Sequence, residues 1–184
     1  MEKLVHFDRG KKVSDYIGAI KSFSGPGPSN IYEYLGKQRS ICTSLNASYY
    51  DTPAKELFTS KCDMLRHWIP ELNYRSSWIG GVRKDGPLRV AIISSHLHKW
   101  SSVTFTSLWK IRYFNFTTVF GISENTTGID IKNYNKLSGH FHTDVKTIES
   151  GHFDVIIYPA IHLHCYIDML AMCRLAPVQL TTWG

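Results

Sequence analysis

Histidine is the residue type in this chain whose spacing suggests chemistry. Nine occur, and six of them stand in His-x-His pairs: His96 with His98, His140 with His142, and His162 with His164. Alternate side chains of an extended segment share one face, so each pair could present two imidazoles to one metal ion. Zinc needs three or four such ligands to converge. A zinc-dependent hydrolase would be the matching enzyme class, yet no carboxylate stands at a telling spacing. The eight-stranded barrel of metal-dependent hydrolases that begin with such a pair takes about 250 residues, whereas this chain has 184. No metal ligand is therefore assigned. A single histidine has another use, because its ordinary pKa lets it take a proton from a hydroxyl near neutral pH. His98, a few residues beyond an apolar run, is the candidate for that role.

The elements that would hold these residues fall into two parts. Residues 1–84 are polar and interrupted. Ser24 to Asn30 is rich in glycine and proline and reads as a loop. Thr52 to Trp68 reads as a helix, capped by Thr52, opened by Pro53 and closed by Pro70, with Leu57, Met64, Leu65 and Trp68 near one face. Gly80-Gly81 and Asp85-Gly86-Pro87 then mark a boundary. In residues 85–184 short apolar runs alternate with helical periods. Leu88 to Ser94, Phe114 to Gly121, Phe153 to Pro159 and Val178 to Trp183 read as strands. Ser102 to Tyr113 and Tyr166 to Leu175 read as helices, and 122–150 as polar loops with a short helix. This alternation predicts an α/β fold, a Rossmann-like parallel sheet wrapped by helices and preceded by a partly helical polar segment. Such a sheet presents functional groups at the carboxyl ends of its strands.

The bulk properties exclude several classes. The formal net charge is +6, but the cations are scattered, with no run longer than two, so no nucleic-acid partner is expected. No apolar run approaches the roughly 20 residues of a membrane span, and Met1 to Lys12 lacks the apolar core of a signal peptide. A cytoplasmic or nuclear location follows. Cys42, Cys62, Cys165 and Cys173 show no zinc spacing and are expected to be free thiols. The sequons at Asn46, Asn115 and Asn125 then read as chance matches.

Two stretches carry a resemblance. Leu88-Arg89-Val90-Ala91-Ile92-Ile93-Ser94-Ser95 resembles the strand that opens the catalytic region of O-GlcNAc transferases and their Spindly-type relatives. The run from Phe153 to Pro159, followed by Arg174-Leu175-Ala176-Pro177-Val178-Gln179 and a trailing Trp183-Gly184, is similar to that family's most specific signature. The resemblance covers about residues 85–184. It implies the first lobe of a two-lobe, GT-B-type glycosyltransferase that moves N-acetylglucosamine from UDP, or fucose from GDP, onto Ser or Thr of acceptor proteins. The co-substrate would be a nucleotide sugar, UDP-GlcNAc first, with no further cofactor. It would be held mainly by a second lobe, so the chain ending at Gly184 is expected to be inactive by itself.

The resemblance also implies site residues. The family's histidine after the first strand falls on Trp100 here; either the loop has slipped and His98, two residues earlier, takes the role of base, or the histidine is lost. Arg174, Gln179, Trp183 and Gly184 are the expected substrate-binding residues, because a leaving diphosphate needs cations and close backbone approach. Asp154 opens its strand at the opposite end and is expected to pair locally. The alternatives are a non-catalytic, protein-binding remnant of the same family, and the zinc hydrolase.

Overall fold

The computed structural model describes residues 13–22, 27–36, 55–80, 86–95, 117–122, 133–159, 161 and 164–181. The chain divides into two compact units, Met1–Asn73 and Tyr74–Gly184.

The first unit holds three described helices, α1 (Val13–Ser22), α2 (Ile31–Gly36) and α3 (Lys55–Trp68), and a 3-10 turn, Pro70–Asn73. Ile17 and Ile20 of α1 pack with Leu57, Phe58 and Met64 of α3, burying one apolar stripe of each helix. Lys21 bridges to Glu56 at 2.7 Å across the same pair. Leu57 and Leu65 are buried, in keeping with the face expected from the sequence, while the expected cap Thr52 lies outside the described residues. Asn30 caps α2, its Oδ1 accepting the Glu33 N–H at 2.9 Å.

The second unit is an α/β domain. Its strands are β1 (Val90–Ser94), β2 (Thr117–Gly121), β3 (Tyr134–Lys136), β4 (Val155–Tyr158) and β5 (Val178–Thr181), and its described helices are α4 (Phe141–Ser150) and α5 (Cys165–Met172). The strands lie in the order β3-β2-β1-β4-β5, and every pairing is parallel. β1 is the middle strand, and Ala91, Ile92, Ile93 and Ser94 have no exposed surface, which is why the run is continuously apolar rather than alternating. α4 leads from β3 to β4 and α5 from β4 to β5. A hydrogen bond from Tyr166 of α5 to Asp144 of α4 shows that the two helices adjoin. Val178 and Leu180 point to the face of β5 opposite Gln179, which contacts α5, and are 43% and 50% exposed.

Three features differ from the expectations. The stretch 122–150 contributes a strand, β3, as well as the ten-residue helix α4. β3 is only Tyr134-Asn135-Lys136, an edge strand without an apolar signal of its own, and it forms because β2 offers it a partner. The unit boundary falls at Asn73/Tyr74 rather than 84/85, since Tyr74, Arg75 and Ser77 bond into the second unit. Finally, Cys62 and Cys173 are thiols outside any disulfide, as expected, but Cys165 is disulfide-bonded.

Candidate functional site

A parallel sheet in the order 3-2-1-4-5 reverses the direction of strand succession between β1 and β4. Ligands of doubly wound sheets settle in the crevice this creates, outside the carboxyl ends of the strands. Here that edge is formed by Ser94 at the end of β1 with Ser95 after it, Gly121 at the end of β2 and Pro159 after β4. The first turns of α4 and α5 start from the same edge, and a helix N-terminus favours negative charge.

Both helix starts are firmly built. The Asp144 carboxylate, 2% exposed, accepts from Ser138 N at 2.8 Å, Ser138 Oγ at 2.7 Å, Gly139 N at 3.0 Å and Tyr166 Oη at 2.5 Å. Gly139 has φ +79°, which lets the chain turn from β3 into α4. His164 caps α5, its Nδ1 accepting the Tyr166 N–H at 3.3 Å. That bond requires an unprotonated Nδ1, so the neutral ring carries its proton on Nε2. Neither Asp144 nor Tyr166 stood out in the sequence: Asp144 lies in a polar stretch whose burial depends on the helix pairing, and Tyr166 in an apolar helix where an aromatic ring reads as ordinary core.

Of the sequence-derived candidates, Arg174 and Gln179 lie among the described residues. His98 lies outside the described residues; in the chain it follows the carboxyl end of β1, Ser94, by four residues. Trp183 and Gly184, also outside, follow Thr181, the last residue of β5. Arg174 and Gln179 are described, and both serve the connection from α5 to β5. Arg174 sits ahead of β5, at the amino edge of the sheet, where Nη2 donates to Pro177 O at 2.5 Å. Its backbone bridges to Arg75: Arg174 N donates to Tyr74 O at 2.9 Å, and Ser76 N donates to Arg174 O at 2.8 Å. Gln179 folds back over the same turn. Its Oε1 accepts from Leu175 N at 2.7 Å and Ala176 N at 3.4 Å, and its Nε2 donates to Ala171 O at 3.2 Å. In this arrangement the conspicuous Arg-Leu-Ala-Pro-Val-Gln run sets the start of β5, and through it the direction in which the chain reaches the carboxyl edge.

The amino edge has its own polar cluster. Glu149 accepts from Lys146 Nζ at 2.8 Å and from Ser77 N at 3.0 Å, and the Tyr74 hydroxyl donates to it at 2.5 Å. The hydrogen bonds from Lys146 and Tyr74 hold the Glu149 carboxyl down to about 2. Burial, then the neighbouring Glu149, raises the Tyr74 phenol above its ordinary value. Asp154 behaves as its position suggested, accepting the Arg89 backbone N–H at 2.8 Å and so joining the starts of β1 and β4.

The His-x-His reading changes form. His140 is the extended N-cap of α4 and His142 lies within its first turn, so this pair does not stand on one face of an extended segment. Among the described residues no three His, Cys, Asp or Glu side chains converge as metal ligands. His96 and His162 lie outside those residues.

The fold and the edge define an α/β protein with a Rossmann-like, five-stranded parallel sheet. No family model and no curated protein matches the chain. Among solved structures the chain is similar to an O-GlcNAc transferase mutant of Thermobaculum terrenum, with 13% sequence identity and a TM-score of 0.49. The likeness covers 92% of this chain and 34% of that one, so this chain spans about a third of that protein's length. No helix among the described residues is long and apolar enough to cross a membrane.

Proposed function

We propose that this chain is one lobe of a glycosyltransferase that moves a sugar from a nucleotide donor, UDP-GlcNAc or GDP-fucose, to Ser or Thr hydroxyls of acceptor proteins in the cytoplasm or nucleus. The observation that carries the reading is the reversal of strand order between β1 and β4; in the sequence His98 follows β1 by four residues. His98 would accept the proton of the acceptor hydroxyl as it attacks the sugar carbon. The leaving diphosphate would be met by helix N-termini and backbone N–H groups, with Trp183 and Gly184 at the mouth of β5. Arg174 and Gln179 would support binding by fixing the entry to β5, and the donor would be held mainly by a second lobe.

The experiment is transfer of labelled sugar from UDP-GlcNAc and GDP-fucose to Ser/Thr peptides, using the longest form of the polypeptide found in its source cells. Incorporation from either donor, abolished in His98→Ala, supports the reading. Acceptor-protein binding without incorporation would favour the non-catalytic remnant. Stoichiometric zinc in the purified protein would move the assignment to a hydrolase.

A further inference from the structure

We infer that Tyr166 and Asp144 are positioning residues at the carboxyl edge of the sheet, bolting the starts of α4 and α5 together. The inference rests on the proposed reading for its functional meaning, but not for its structural test. The loop that leaves β3 at the carboxyl edge, Ser138-Gly139, is wrapped on the Asp144 carboxylate by three of its own donors. The fourth donor comes from elsewhere: Tyr166 belongs to the first turn of α5, which leaves the same edge from β4. Asp144 and Tyr166 are 2% and 4% exposed, so this link is shielded from competing water. Tyr166 also donates its backbone N–H to His164. One side chain thus connects the α4 loop to the α5 cap, and a displacement of either one must break a charge-assisted hydrogen bond.

Neither residue needs to touch a ligand. An edge built of two loops binds a ligand well when the loops are held before the ligand arrives, since ordering them afterwards costs affinity. Breaking the bolt should therefore weaken binding more than chemistry.

The test is Tyr166→Phe, which removes one hydroxyl and keeps the ring in its buried place. Hydrogen exchange is followed at Ser138 and Gly139, whose amides face Asp144, and at the first turn of α5. Local opening should speed exchange at both helix starts on the order of tenfold, with the amides of β1 unchanged. Asp144→Asn, which keeps the side-chain size, should reproduce the pattern. In a form that transfers sugar, Tyr166→Phe should raise KM for the nucleotide sugar and leave kcat per folded molecule unchanged. Unaltered exchange at the α4 loop, uniform acceleration across the sheet, or an unchanged KM would each overturn the inference. Absence of transfer by the unmutated protein would defeat the glycosyltransferase reading instead, and the exchange pattern would then decide whether the bolt exists.

Discussion

The phenol of Tyr74 donates to the carboxylate of Glu149 at 2.5 Å, joining the first residue of the α/β unit to the last turn of α4. Ser77 adds a backbone and a hydroxyl donor to the same carboxylate, so Tyr74 to Ser77 is tied into the second unit before β1 begins. Glu149→Gln, which removes the charge and turns one acceptor oxygen into a donor, should cost about 2 kcal/mol, the range for hydrogen bonds to a charged group, as read from urea unfolding at neutral pH. Lys146 is 67% exposed while Glu149 is 12% exposed, so Lys146→Met should cost less than Glu149→Gln.

The same carboxylate sets an acid dependence. Its folded pKa, about 2, lies below its ordinary value of 4.5. A depressed carboxylate pKa stabilises the fold above the unfolded pKa and loses that contribution as pH falls through the folded one. Between about pH 4.5 and 2 the unmutated protein should therefore lose stability relative to Glu149→Gln. Unfolding midpoints of the two proteins, measured across that window, should approach each other at the acid end.

Gln179 offers a test that separates support from ligand contact. Its side chain satisfies two backbone N–H groups and one carbonyl of the turn between α5 and β5. Gln179→Ala leaves these groups without that partner and should destabilise the second unit by about 1–3 kcal/mol. Gln179→Glu keeps the acceptor and loses the donor to Ala171. It should fall between the parent and the alanine variant in thermal unfolding.

Gly151 is required by a ring, not by its backbone angle. Its φ is −73°, open to any residue, but an added Cβ would stand 2.2 Å from the Phe153 ring. Phe153 is 5% exposed and packs edge-on against Phe120 at 5.8 Å, so it has little room to retreat. Gly151→Ala should cost about 1–3 kcal/mol through overpacking, seen as a lowered urea midpoint.

The sequence by itself determined the central strands and the helix that follows β4. Val90 to Ser94 and Val155 to Tyr158 are short apolar runs, and a strand covered on both faces has no other pattern to show. Cys165 to Met172 was legible because its apolar content continues for two turns. It also located the histidine after β1 and the Arg174–Gln179 run as the segments to watch. Tertiary structure alone decided β3, whose Tyr-Asn-Lys has no strand signal until β2 supplies hydrogen-bond partners. It decided that Arg174 stands at the amino edge and that Gln179 turns back onto its own loop, because α5 reverses the chain between β4 and β5. It also decided that Asp144, charged and set in a polar stretch, is buried: four donors converge on it only when α4 and α5 lie side by side. Local pattern encodes which residues leave water, whereas which groups meet across the fold depends on the paths of the connections between them.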